Sequence, residues 1–220
     1  MKPDISLYVL VDPAVAGEKP LDALAVAAAK GGATLVQLRD KTGTTRRLVE
    51  EAVAIRRALR GTGVPLIVND RADVALVADA EGLHVGRDDL DPATARRLLG
   101  PRAIIGASIR SEADIAKLPI GAVDYACIGG VFATTSKDNP DPPIGLDGFR
   151  RLHGILRARA PALPIGAIAG ITAENAASVI GAGAEGIAVI SAVIAAPDAA
   201  VAARQLRVLV ETARAKTGAA

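Results

Sequence analysis

Gln37-Leu38-Arg39-Asp40-Lys41 follows the apolar run Thr34-Leu35-Val36, and this succession of apolar run and polar cluster recurs along the chain. Asn69-Asp70 follows Pro65-Leu66-Ile67-Val68, Asp88-Asp89 comes after Leu83-His84-Val85, and Ser108 after Ile104-Ile105-Gly106. Thr134-Thr135-Ser136-Lys137 follows Ile128-Gly129-Gly130-Val131, Gly170 ends Ile165-Gly166-Ala167-Ile168-Ala169, and Ser191 ends Ile187-Ala188-Val189-Ile190. Arg39, Lys41 and Lys137 are cations that would converge on an anionic, phosphorylated ligand if their strand ends share one mouth. Arg39 alternates with Leu38 and needs an anion partner if it is buried. Asp70 and Asp89 are hard-oxygen donors. Beside a polyphosphate they would suit Mg²⁺, which takes one or two carboxylates together with phosphate and water. They could equally be a loop cap, a salt bridge to Arg71 or another neighbour, or a helix cap shared with Asp88 and Asp91.

Ser108, Gly170, Ile190 and Ser191 form a second theme. The run Gly166–Thr172 reads as a strand end opening into a helix, where backbone N–H groups bind phosphate. Tight turns alone would also account for its glycines. His84 alternates with Leu83 and Val85 and is read as a packed, hydrogen-bonded strand residue outside the catalytic set. His153, in an arginine-rich helix, is expected at the surface, and Cys127 in the core. No Cys/His metal spacing and no nucleophile–base pair stands out.

Elements that would position these groups follow from periodicity. Strands are expected near 6–11, 34–39, 65–70, 82–85, 103–108, 125–130, 164–170 and 186–191. Several are almost continuously apolar, as in parallel strands covered on both faces. Helices lie between them. In 44–60, Leu48, Ala52, Ile55 and Leu59 share a face, and Arg46/Glu50 and Arg47/Glu51 are i,i+4 pairs. Asp91-Pro92, Ser111 and Thr172 are expected helix starts. Leu206, Leu209, Val210 and Ala213 make the face of the last helix, with 216–220 expected to fray. Eight βα units predict an α/β fold, one single (β/α)8 TIM barrel over 1–220. An open doubly wound sheet would need a glycine-rich dinucleotide loop, which Gly17-Glu18-Lys19-Pro20 does not supply. The long stretch Phe132–Leu146 reads as a functional loop.

Bulk composition agrees with one such barrel of 220 residues. Half the residues are hydrophobic but only 2% aromatic, so the core must be aliphatic. With 26 basic and 24 acidic residues, the near-zero balance gives no case for a nucleic-acid partner. Cys127 is the one cysteine, which excludes an intrachain disulfide framework. The apolar stretch Gly186–Pro197 is shorter than the roughly 20 residues of a membrane span. The expectation is a soluble cytoplasmic protein with small-molecule substrates, no nucleic-acid or membrane partner, and a homo-oligomer left open.

Taken in order, Gln37–Lys41, Asn69-Asp70-Arg71, Gly82–Asp89, Phe132–Lys137 with Pro143–Leu146, and Ala169-Gly170-Ile171 resemble the thiamine-phosphate synthase (thiamine-phosphate pyrophosphorylase) family from Leu7 to about Arg207. The resemblance implies a (β/α)8 transferase. It would join 4-amino-2-methyl-5-pyrimidinylmethyl diphosphate to 4-methyl-5-(2-phosphoethyl)thiazole, giving thiamine phosphate and diphosphate through a carbocation-like substitution. It implies that Gln37, Leu38, Arg39, Asp40, Lys41, Asn69, Ser108 and Lys137 bind the pyrimidine diphosphate. Thr134, Thr135, Ser136, Gly170, Ile190 and Ser191 would line the thiazole phosphate site. Arg39, Lys41, Ser108 and Lys137 would be the catalytic set, and Asp70 and Asp89 would hold one Mg²⁺ per site. The family's usual Gly-Pro-Ile/Val-Phe-Pro-Thr-x-Thr-Lys loop is here Gly129-Gly130-Val131-Phe132-Ala133-Thr134-Thr135-Ser136-Lys137. Its Gly-Gly-Ile is Ala169-Gly170-Ile171, and Arg87 replaces a common glutamine. The rival readings are a thiazole tautomerase on the same barrel, a non-catalytic sensor of thiamine phosphates, and another phosphate-binding barrel isomerase.

Overall fold

The computed structural model describes residues 2–136 and 141–217. Eight parallel strands close on themselves in chain order, with β1 pairing both β2 and β8. They are β1 Leu7–Val11, β2 Leu35–Leu38, β3 Leu66–Asn69, β4 Gly82–Val85, β5 Ile104–Ile109, β6 Tyr125–Ile128, β7 Ile165–Ile168 and β8 Gly186–Val189. Around them lie α1 Pro13–Ala16, α2 Leu21–Lys30, α3 Thr45–Ala58, α4 Ala72–Val77, α5 Pro92–Leu99, α6 Glu112–Lys117, α7 Gly145–Arg159, α8 Ala176–Gly181, α9 Ser191–Ile194 and α10 Ala199–Thr217. A short 3₁₀ turn spans Ile120–Ala122.

The expected (β/α)8 barrel is therefore present, and alternation along each strand divides its core in two. One set of strand residues, among them Leu7, Val9, Val36, Leu38, Val68, Leu83, Ile105 and Ile128, packs outward under the helices. The other set, Tyr8, Leu10, Leu35, Ile67, Tyr125, Cys127, Ile168, Ala188 and Ile190, fills the barrel lumen. Burying each large aliphatic side chain is worth about 1.5–3 kcal/mol, so the low aromatic content costs the barrel little.

Local signals account for most helix starts. Asp91 caps α5 ahead of Pro92, its carboxylate accepting from the Thr94 N–H. Ser111 and Asp114 form a reciprocal capping box on α6. Thr44 caps α3, whose buried face is Leu48, Ala52 and Ile55, with Arg47 and Glu51 paired at 2.8 Å. Thr172 is not a cap: α8 begins later, with Asn175 at its N-cap. The strand-to-helix passage expected at 166–172 is thus a turn, held where Asn175 donates to the Gly170 carbonyl and accepts from the Thr172 N–H. In α10, Leu206, Val210 and Ala213 are buried, and the helix continues through Thr217, two residues into the stretch expected to fray. His153 is not a surface residue. It is half-buried, stacked on Phe149 and packed over Gly183, and burial is the main cause lowering its pKa.

At the barrel's N-terminal end a three-way contact is repeated. Glu81, ahead of β4, accepts the Leu66 N–H of β3 at 2.8 Å and pairs with Arg56 of α3 at 2.6 Å. Asp124, ahead of β6, accepts the Ile105 N–H at 2.7 Å and pairs with Arg96 of α5. Glu185, ahead of β8, accepts the Ile165 N–H and pairs with Arg157 of α7 at 2.7 Å. Between β1 and β2 the Thr34 hydroxyl accepts the Leu7 N–H at 3.1 Å.

Candidate active site

Residues two positions beyond the lumen-filling side chains form the opposite, C-terminal mouth, where barrel enzymes place their chemistry. Tyr8 and Leu10 lead to Asp12, Gln37 leads to Arg39, and Gly106 leads to Ser108 and Arg110. Asp12 is almost fully buried and pairs with Arg39, whose side chain is 13% exposed. The carboxylate also accepts from Ala14 N–H at 2.9 Å, capping α1. Asp12 is thus the anion that Arg39 required, and it fixes the guanidinium at the end of β2. Strand alternation carried this signal, but Asp12-Pro13 reads first as a helix start.

Lys41 reaches across to the Asp70 carboxylate, which also accepts from Asn69 Nδ2 at 2.6 Å. Asp70 adopts a left-handed backbone (φ 61°) that turns the chain out of β3. Asp89 approaches from the β4 side, with its Oδ2 accepting the Gly86 N–H at 2.8 Å. Burial, and then the Asp89 carboxylate in hydrogen-bonding range, push the Asp70 pKa up to about 6, against the opposing pull of Lys41. Two crowded carboxylates of this kind fit a divalent cation, which would relieve their repulsion. Among the described residues no cluster of three or more His, Cys, Asp or Glu side chains could hold a metal. Substrate phosphate and water would have to complete the coordination.

Ser108 Oγ lies 2.9 Å from His84 Nε2. This is a serine–histidine contact that the sequence did not reveal. The other ring nitrogen, Nδ1, meets the Tyr125 hydroxyl at 3.0 Å. A phenol there, in place of a carboxylate, provides no counter-charge for an imidazolium, so the pair lacks the third member of a hydrolytic triad. Arg110, absent from the expected set, lines the same cleft as Lys41, Asp88, Asp89 and Ser108, and its Nη2 is 3.8 Å from Asp141.

A second cleft, at the ends of β7 and β8, is lined by Thr134, Ser136, Gly170, Thr172, Ile190 and Ser191. Gly170 is needed there: at φ +65° a Cβ would fall 2.3 Å from the Ala133 carbonyl oxygen. The loop ends are pinned by Phe132 N–H to Ala169 O at 3.1 Å and Ile144 N–H to Gly130 O at 2.8 Å. Ala169 itself sits at φ 92°, a region L-residues rarely adopt. Such strain costs on the order of 1–3 kcal/mol, against about 0.5–1 kcal/mol for the extra chain entropy of glycine. Ala169→Gly is expected to raise the melting temperature by about 2–4 °C. A lower melting temperature would show that the backbone is not strained.

Three expected contacts are not brought into the mouth as side chains. Leu38 points outward into the core beneath the helices, which leaves only its backbone to face a ligand. Asp40 turns into its own loop, accepting from the N–H groups of Thr42 at 2.9 Å and Gly43 at 2.8 Å. Burial alone would raise its pKa, but those bonds and Arg47 bring it below the usual carboxylate range. Thr135 is exposed, while its neighbours Thr134 and Ser136 line the second cleft. Lys137 lies outside the described residues.

The family described as thiamine monophosphate synthase matches residues 7–193, a span that contains every group named above. The chain belongs to this family. A thiamine-phosphate synthase of Agrobacterium fabrum is 50% identical over 96% of both chains. One of Azorhizobium caulinodans is 47% identical over 96% of this chain and 97% of its own. The solved thiamine phosphate pyrophosphorylase of Pyrococcus furiosus superposes with a TM-score of 0.82 at 35% identity, covering 96% of this chain and 98% of that one. Tryptophan synthase of Mycobacterium tuberculosis, at TM-score 0.70 and 15% identity, shares the fold alone. As a member of the thiamine monophosphate synthase family, the chain is a transferase of thiamine biosynthesis. None of its described helices is long and apolar enough to cross a membrane.

Proposed function

We propose that this chain couples the pyrimidinylmethyl diphosphate to the thiazole phosphate at the barrel mouth, releasing diphosphate. The observation that carries the reading is the pairing of two compartments on one barrel face. One is charged, with Arg39, Lys41, Asp70 and Asp89; the other is lined by the hydroxyls of Thr134, Ser136 and Ser191 and by Gly170. Gln37, Asn69 and Ser108 orient the pyrimidine, and Arg39, Lys41 and Lys137 meet its diphosphate. The second cleft holds the thiazole phosphate, so that the ring nitrogen faces the carbon losing diphosphate. Asp70 and Asp89 would hold Mg²⁺, which supplies neutralising charge to the leaving diphosphate. A carbocation-like substitution needs no protein nucleophile. It needs leaving-group stabilisation and two substrates held in line. The single cysteine, buried in the lumen, supports placing the enzyme in the cytoplasm.

The test mixes purified protein, both substrates and Mg²⁺, then oxidises product to fluorescent thiochrome. Thiamine phosphate that forms with Mg²⁺ and not with EDTA is the expected result. Folded protein that makes none from intact substrates would overturn the reading in favour of a tautomerase or a sensor.

A further inference from the structure

Two cations flank the crowded carboxylates of the mouth. Asp70 lies just past β3 and Asp89 past β4. Lys41, past β2, reaches Asp70 from one side. Arg110 follows β5, the strand on the other side, and lines the same cleft of about 360 Å³ as Lys41, Asp89 and Ser108. Strand alternation sends it there. Ile109 packs outward beneath the helices, so Ser108 and Arg110 face the mouth. The backbone is held as well, since the Arg110 N–H donates to the Asp114 carboxylate at 2.9 Å.

The side chain lies on a seat of two glycines. The Gly129 N–H donates to the Ile109 carbonyl at 2.8 Å, which sets the loop after β6 beside Arg110. A Cβ on Gly129 would stand 3.6 Å from the Arg110 Cγ, an ordinary contact. At Gly130 the approach is closer: a Cβ there would come within 2.9 Å of Nη2 and 3.4 Å of both Cζ and Nε. Gly130 also has φ +71°, and its carbonyl accepts the Ile144 N–H at 2.8 Å, so the seat is fixed and tolerates no side chain without strain. The Arg110 side chain is 22% exposed, and its Nη2 is 3.8 Å from the Asp141 carboxylate, which is 62% exposed. That separation is beyond a hydrogen bond, so a ligand oxygen can be met without breaking one to Asp141.

The acidic groups of the cleft narrow the ligand. Asp88, Asp89, Asp114 and Asp141 line it against Lys41, Arg87 and Arg110. Arg87 is turned to Asp114, at 3.1 and 3.3 Å. A bare anion would meet net repulsion here, whereas a diphosphate carrying a divalent cation would not.

We propose that Arg110 is a further catalytic residue, meeting the metal-bound diphosphate from the side opposite Lys41, and that Gly130 is the positioning residue that seats it. When the pyrimidinylmethyl C–O bond breaks, its electron pair leaves with the diphosphate, while the thiazole nitrogen lone pair forms the new C–N bond. A guanidinium matches the charge growing on the departing oxygens and can hold two of them at once. The inference deepens the function proposed above and rests on it for the identity of the ligand.

The test titrates inorganic diphosphate with excess Mg²⁺ into wild type, Arg110→Gln, Gly130→Ala and the double variant, by calorimetry and without turnover. Arg110→Gln should weaken binding about 10–100-fold, as expected for a charge-assisted hydrogen bond. It should also lower kcat/KM for the pyrimidine diphosphate, while KM for the thiazole phosphate stays within about twofold. Gly130→Ala should weaken binding in the wild-type background and add no more than about twofold to Arg110→Gln. Unchanged diphosphate affinity in Arg110→Gln would overturn the proposal. So would a loss confined to KM for the thiazole phosphate, which would give the arginine to the other substrate. Equal losses from Gly130→Ala in both backgrounds would refute the glycine seat. Arg110→Gln leaves both glycines in place, so it decides the arginine's role even where Gly130→Ala fails to fold. Arg110-dependent binding by a protein that makes no thiamine phosphate would refute the synthase reading and leave the diphosphate site standing. Synthase activity with no dependence on Arg110 would do the reverse.

Discussion

Arg39→Ala is expected to lower turnover by about 10²–10³-fold and to destabilise the fold by about 3–5 kcal/mol. The two losses have different origins. The first follows from removing a fixed cation beside the leaving diphosphate. The second follows from stranding Asp12, a carboxylate 2% exposed, without its counter-charge. A double variant, Asp12→Asn with Arg39→Met, separates them. Asparagine keeps an oxygen for the Ala14 N–H, and methionine fills the stem of the arginine without its charge. Stability measured by urea unfolding should largely return, because removing both members of a buried ion pair is often neutral. Turnover should not return. Recovery of turnover in the double variant would remove Arg39 from the chemistry. A single variant as stable as the wild type would show that Asp12 does not depend on it.

Asp89→Asn is expected to abolish the Mg²⁺ response and cut activity by at least about 10²-fold, while the metal-free protein becomes more stable at neutral pH. The stability gain follows from the crowding of Asp70. A carboxylate whose folded pKa is raised to about 6 binds more protons folded than unfolded between about 4 and that value. Its contribution to stability is therefore full at low pH and is lost as pH rises through about 6. Asparagine at 89 removes the neighbouring negative charge and should flatten that loss. The measurement is the melting temperature of both proteins in EDTA across this range. Parallel curves would mean that the carboxylates do not interact. Undiminished Mg²⁺-dependent turnover would exclude Asp89 as a ligand.

The barrel was legible because its strands are covered on both faces and so appear as uninterrupted Val, Ile, Leu and Ala runs between capped helices. The mouth was legible because it lies where those runs end. What escaped depends on which strands are neighbours in space. Arg39 announced that it needed an anion, but nothing local said that the anion was Asp12, 27 positions earlier. His84 read as an ordinary packed strand residue, and only the closed register shows that it meets Tyr125, which in turn meets Tyr8. Asp40 and Leu38 entered the expected site with the whole Gln37–Lys41 motif that the resemblance carried over. In a strand the next residue faces the other way, and in a tight turn it can bond its own backbone. The four-residue helices α1 and α9 are shorter than any periodicity can register.

The contacts at the N-terminal end recur at every second strand junction, and each ties a helix, the strand that follows it, and the start of the next strand. The floor of the barrel thus has approximate four-fold repetition, with Thr34 holding the same position by a hydroxyl in the first quarter. The mouth has no such repetition, since cations, carboxylates, hydroxyls and glycines each occupy their own sector. In its contacts the scaffold is therefore a repeat of four two-strand units joined by backbone pairing. The base is thus built by repetition and the rim by exception, and the floor contacts use none of the side chains assigned to the mouth.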